Sequence, residues 1–132
     1  MDTVYKAKIY YTISEVSKMM SLSIDTLRFY EKTDIIGSIH RDSGGRRLYS
    51  EENLEWILFV CRLKNTGMPL DDIREYRKLL LEGDHTSSLR QQLMVQHKVR
   101  LEHQIEELQS ALDLMNYKIR HYDNIIKNHG LP

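Results

Sequence analysis

The chain has 132 residues, enough for one domain or for one small domain with an appendage. Its 19 Lys and Arg residues balance 19 Asp and Glu, which excludes binding to a polyanion through bulk charge, so any such contact must come from the placement of a few cations. A single cysteine, Cys61, excludes an intramolecular disulfide framework and fits a reducing cytoplasm, and neither a membrane-length apolar run nor a signal-peptide centre is present.

Residues 1–10 read as an N-terminal extension. In ISEVSKMM, residues 13–20, Ile13, Val16, Met19 and Met20 share one helical face, with Thr12 or Ser14 available as cap. Ser21-Leu22-Ser23 interrupts, and Ser23 caps a second helix over about 24–33 whose Ile24, Leu27 and Phe29/Tyr30 face inward in part. Two short helices joined by three or four residues predict a helix-turn-helix over about 13–33. The second of them carries Arg28 and Tyr30 beside its apolar residues in SLSIDTLRFYEK, a cluster that suits a helix held against a polyanion.

The stretch IHRDSGGRRLY follows. Its Asp42-Ser43-Gly44-Gly45 is turn chemistry between Ile39 and Leu48, which predicts a small β-hairpin within about 37–49. It is also the one locally basic segment, with Arg41, Arg46 and Arg47 against Asp42. Ser50-Glu51-Glu52 then opens a helix with a capping hydroxyl and acids in the first turn. Leu54, Ile57, Leu58 and Cys61 are expected as its inner face, with Gly67 as its stop. A further helix over about 70–81 ends at Gly83.

The last segment is the most regular. Leu101, Ile105, Leu108, Leu112, Met115, Ile119, Tyr122 and Ile126 alternate at spacings of four and three, a heptad seam. Extended back through Leu93 and Leu89 it becomes one helix of about 39 residues, roughly 58 Å long. The chain offers no second long helix to cover it, so the partner is another copy or another protein. A homodimer is the expected form, because most soluble oligomers are two-fold homodimers.

A helix-turn-helix followed by a basic hairpin is a winged-helix arrangement, which makes the expected fold mainly α. Its second helix suits a major groove, with Ser23, Asp25 and Thr26 toward bases and Arg28 and Tyr30 toward phosphates. Arg41, Arg46 and Arg47 of the wing then grip the adjoining backbone, and Ser14 and Tyr49 complete the candidate DNA-contacting set.

YTISEVSKMMSLSIDTLRFYEKTDII, the GGRRLYS segment, NLEWILFVCRLKNTGMPLDDI and the terminal seam together resemble the MerR family of transcriptional regulators, over about residues 11–127. The resemblance implies a winged helix-turn-helix DNA-binding domain over 11–82 and a dimerisation helix over 86–128, paired in an antiparallel coiled coil. It also implies a homodimer on a near-palindromic promoter operator in double-stranded DNA. Activation would come from untwisting an overlong promoter spacer, so that RNA polymerase is recruited indirectly, through the DNA.

Within the family, the absence of cysteines after Cys61 argues against a mercury or copper site beyond the coiled coil, and no C-terminal ligand domain is expected. The layout is similar to the aldehyde- and thiol-stress-responsive subgroup, in which one cysteine near the end of the third helix senses the signal. That cysteine lies five residues before the equivalent glycine, where this chain has Arg62; Cys61 lies six before Gly67. One residue turns a helical side chain by about 100°, which puts Cys61 in phase with Leu54 and Leu58. It is expected to be a small buried hydrophobe, and is kept as the candidate sensor.

Other features read as structural. His97 and His103, and His121 and His129, lack the one-turn spacing that holds a metal on a helix face, so no metal or cofactor is expected. Asp71-Asp72 and Glu106-Glu107 read as a helix start and a solvated face. No phosphate loop or nucleophile triad is recognisable, and an enzyme is not expected. Two other readings stay open: a coiled-coil adaptor with secondary DNA binding, and a small enzyme using Cys61 with a nearby histidine.

Overall fold

The structure, a computed structural model, describes residues 9–130; most of the N-terminal extension lies outside the described residues. The chain forms two units, one ending at Arg90 and one beginning at Gln91. The first holds α1 (Ile13–Met20), α2 (Ile24–Lys32), β1 (His40–Arg41), β2 (Arg47–Leu48), α3 (Glu51–Asn65), α4 (Leu70–Glu82) and a 3-10 turn, Asp84–Thr86. The last helix, α5, runs from Ser87 to His129.

Local chemistry sets the helix boundaries. Thr12 caps α1 in a reciprocal box with Glu15, and Ser50 does the same for α3 with Asn53, each pair satisfying two otherwise orphaned amides. The Ser23 hydroxyl caps α2 by accepting from the Thr26 amide at 3.0 Å. At the end of α3, Gly67 takes a φ of +87°, and the Gly67 and Met68 amides donate back to Lys64 and Leu63. This is the Schellman stop that a glycine permits. The same motif ends α2 with Asp34 at φ +60° in the glycine position, the Ile35 amide donating to the Tyr30 carbonyl at 2.8 Å.

The core of the first unit gathers Val16, Leu27, Tyr30, Ile35, Ile39, Tyr49, Ile57, Val60 and Ile73. On α3 the buried face is Leu54, Ile57, Val60 and Leu63, while Leu58 is 41% exposed and Cys61 half-buried. The expected inner face is corrected here. Leu58 stands one step of about 100° past Ile57 and leaves the core, whereas Cys61, one turn beyond Ile57, rides its flank.

The hairpin forms with only two residues in each strand, in the register His40↔Leu48 and Arg41↔Arg47. Asp42 closes the turn: its Oδ1 accepts from the Gly44 and Arg46 amides, both at 2.9 Å. Tyr11 and Tyr49 exchange backbone hydrogen bonds at 2.8 Å in both directions, which fixes the chain entering α1 to the chain leaving the wing.

The connection from α2 to the wing is gripped from α3 and α4. Arg74 Nε donates to the Thr33 carbonyl at 2.7 Å, Arg77 pairs with Asp34 at 3.0 Å, and the Trp56 indole donates to the Ile35 carbonyl at 2.9 Å. Gly37, at φ +77°, lies directly under the Arg77 guanidinium, where a Cβ would collide.

Helix α5 has 43 residues, about 65 Å at 1.5 Å per residue. Leu101 is half-buried. Ile105, Leu108, Leu112, Met115, Ile119, Tyr122 and Ile126 are all exposed, from 42% for Ile126 to 71% for Leu108.

Tyr49 is wholly buried, and its hydroxyl has no hydrogen-bond partner among the described residues. A buried hydroxyl left unbonded carries its full desolvation penalty. Tyr49→Phe is therefore expected to leave stability unchanged or raise it by up to about 1 kcal/mol. Denaturant unfolding measures this, and a loss beyond about 1 kcal/mol would show that the hydroxyl is bonded.

Candidate nucleic-acid interface

Helix α2 is two-sided. Leu27 and Tyr30 enter the core, while Asp25, Arg28, Phe29 and Lys32 form its solvent face. At its start the Ser23 and Thr26 hydroxyls bond each other at 2.8 Å, leaving two polar side chains and Asp25 at the tip. Ser14 is exposed on the first turn of α1.

The wing packs beside α2 through Glu31. Arg47 Nε donates to its Oε1 at 2.6 Å, the Ile39 amide donates to its Oε2 at 3.2 Å, and the Arg41 guanidinium lies 3.5 Å from Oε1. Burial pushes the Glu31 carboxyl up, but the Arg47 hydrogen bond, the Ile39 amide and the two guanidinium charges outweigh it and hold it below the usual carboxylate range. Arg28, Glu31, Lys32, Ser38, Arg41 and Arg47 together line one open concavity between α2 and the wing.

The arginines of this face are not equivalent. Arg28 is 56% exposed and only loosely paired, 3.8 Å from Asp25 one turn back. Arg46 is 86% exposed beside Asp42; there the Arg46 amide, more than its charge, draws the Asp42 carboxyl below its ordinary value. Arg41 is half-exposed and also donates to the Gly45 carbonyl at 3.2 Å. Arg47 is 21% exposed and committed to a Glu31 that is itself 15% exposed. It braces the wing against α2.

Two expected DNA contacts are corrected. Tyr30 follows Leu27 by one turn and shares its inward face, so its ring is 3% exposed, with its phenol pushed up by burial and by neighbouring Cys61. Tyr49 turns wholly into the core below the Tyr11 bridge. Neither side chain has surface to offer a phosphate. In the other direction, Glu31, Lys32 and Ser38 belong to the face without having been singled out, and Phe29, expected partly inward, is 49% exposed. Lys32 was recoverable, one helical turn beyond Arg28. The Glu31–Arg47 tie joins residues 16 apart in sequence, and no local pattern signals it.

Burial pushes the Cys61 thiol up. His103 pairs with Glu107 at 3.4 Å on an exposed face. Among the described residues no group of three or more His, Cys, Asp or Glu is placed to hold a metal ion, and no helix is long and apolar enough to cross a membrane.

A helix-turn-helix whose second helix and wing share one cationic face is a DNA-binding module. Residues 11–80 match the model of MerR HTH family regulatory proteins, and residues 54–116 match the MerR DNA-binding model. The chain belongs to the MerR family of transcriptional regulators. An uncharacterized HTH-type transcriptional regulator of Haemophilus influenzae is 35% identical over 112 residues, covering 85% of this chain and 83% of that protein. The HTH-type transcriptional regulator AdhR of Bacillus subtilis is 35% identical over 89 residues, 67% of this chain and 64% of that one. Among solved structures, HiNmlR, described as a MerR family regulator lacking the sensor domain and bound to promoter DNA, superposes with a TM-score of 0.81 at 34% identity. The match covers 92% of this chain and 96% of that one.

The two kinds of arginine separate experimentally. Arg28→Ala is expected to change stability by less than about 0.5 kcal/mol, while weakening binding to every DNA sequence and flattening the salt dependence by about one unit of slope per subunit. Arg47→Ala is expected to cost about 1–3 kcal/mol of stability, because it strands a mostly buried carboxylate. Denaturant melts beside salt-titrated binding isotherms test both, and equal stability losses would contradict the division.

Proposed function

We propose that the chain is a cytoplasmic homodimer that binds double-stranded promoter DNA and regulates transcription by untwisting the promoter spacer. RNA polymerase is engaged indirectly, through the altered DNA. The observation that carries this reading is the pairing of one cationic winged head with a long helix whose heptad seam is uncovered in the single chain. Two heads held by one antiparallel coiled coil would address two half-sites of an operator, as the two-fold symmetry of such a dimer requires. The promoter-bound structure of the similar regulator supports the choice of DNA as ligand. Ser14, Ser23, Asp25 and Thr26 are assigned to the groove, and Arg28, Arg41 and Arg46 to phosphates.

Signal entry is assigned to Cys61, in response to aldehydes or other electrophiles. The thiol is half-buried on the flank of the core beside Tyr30, so a modified side chain would add bulk between α3 and α2 and shift the head between two arrangements. The raised thiol makes that reaction slow, because the thiolate is the nucleophile.

Leu108→Lys and Leu112→Lys each place a charge on the proposed interface without a partner and are expected to give monomers. Sedimentation at micromolar concentration tests this; dimers in both variants would overturn the seam assignment. Cys61→Ser is expected to retain DNA binding and to abolish induction by an electrophile in a promoter transcription assay. Induction that survives in the variant would place the signal elsewhere.

A further inference from the structure

We propose that Glu31 limits the sequence-independent part of DNA affinity by acting as an internal counter-anion, its carboxylate competing with DNA phosphate for the wing arginines. The inference rests on the reading of the α2–wing face as the DNA-binding surface.

Among the described residues, Glu31 is the one acid lining the concavity between α2 and the wing, beside Arg28, Lys32, Arg41 and Arg47. Its Oε1 takes the Arg47 Nε at 2.6 Å and faces the Arg41 guanidinium at 3.5 Å. A phosphate approaching these cations meets a fixed negative charge that already holds them. Arg41, half-exposed and beyond hydrogen-bond distance of the carboxylate, is the cation a phosphate can capture. Arg47, the shorter and more buried contact, stays with Glu31.

A phosphate contact that is identical on every sequence adds affinity without discrimination. In a chain whose formal charge is zero, one additional available cation per head is a large change in that sequence-independent attraction. Glu31 also receives the Ile39 amide at 3.2 Å, so it positions the wing as well as opposing phosphate. Charge and position therefore have to be separated by experiment. Glu31→Gln removes the charge and keeps one of the two acceptor oxygens, enough for Arg47 or for the Ile39 amide but not for both. Glu31→Asp keeps the charge and withdraws it from Arg47 by one methylene.

The test uses the full chain with two duplexes, a random-sequence one and an operator recovered by selection from a random library, titrated from low to high salt. Glu31→Gln is expected to bind the random duplex about fivefold tighter per engaged subunit at 0.15 M salt, with the slope of log K against log salt steeper by about one per subunit. The operator duplex is expected to gain by the same factor, so that the ratio of operator to random affinity is unchanged. Glu31→Asp is expected to keep the wild-type slope while weakening both duplexes, through a looser wing. If Glu31→Gln weakens both duplexes with an unchanged slope, Glu31 is a structural brace only and the inference fails. A slope that steepens in Glu31→Asp as well would also overturn it, since the charge is retained there. Wild-type affinity that is independent of salt would instead remove the DNA-binding reading of this face, and the inference with it.

Discussion

The contact on which the functional face depends is the hold of one carboxylate, Glu31, on the wing. The hairpin has two residues per strand, and so short a ladder is not stable by itself. What places it beside α2 is the Arg47 and Ile39 hydrogen bonding to Glu31, together with the Tyr11–Tyr49 bridge on its far side. Charge-assisted hydrogen bonds of this kind, largely screened from water, are the stronger class. Without them Arg41 and Arg46 would be two exposed side chains on a mobile turn.

The exit of α2, just beyond Glu31, is held as firmly, and from a different direction. Asp34 adopts a left-handed conformation uncommon for a residue with a side chain, and its carboxylate is taken by Arg77 of α4. Arg74 fixes the neighbouring carbonyl of Thr33, and Trp56 of α3 fixes that of Ile35. Three backbone or side-chain acceptors at the exit of the reading helix are thus satisfied by residues of α3 and α4. Helix α4 is thus tied to the exit of α2, which Glu31 in turn ties to the wing.

These ties also explain which parts of the fold were legible in the sequence. Features settled within a few residues read correctly: the Thr12, Ser23 and Ser50 caps, the Gly67 stop, the Asp42-to-Gly45 turn and the long last helix. Each of these is a matter of backbone satisfaction or periodicity that neighbouring residues decide. The errors fell where a distant partner decides. Tyr30 and Tyr49 look like DNA contacts in a basic motif, yet both side chains are buried in the core. Leu58 fits a helical period but stands at the edge of a face whose centre is chosen by packing against α1 and α4. Arg47 is indistinguishable from Arg46 by position in the motif. Only the fold, by bringing Glu31 to one of them, gives the two arginines different tasks.

The same reasoning bears on why a neutral chain can have a nucleic-acid ligand at all. Without a long-range field, association gains little from steering, and affinity per head is limited to the few cations that the concavity gathers. Joining two heads raises the effective concentration of the second once the first is bound, so the proposed seam on α5 substitutes for missing charge. Seven large apolar side chains lie uncovered along that seam, and burying each contributes about 1.5–3 kcal/mol. Even at the low end this is comparable to the rigid-body cost of association, about 4–15 kcal/mol. In the proposed homodimer both copies would bury their seams, and the total would exceed that cost. The long helix would then be part of the DNA-binding apparatus, supplying through geometry the affinity that the composition of the head withholds.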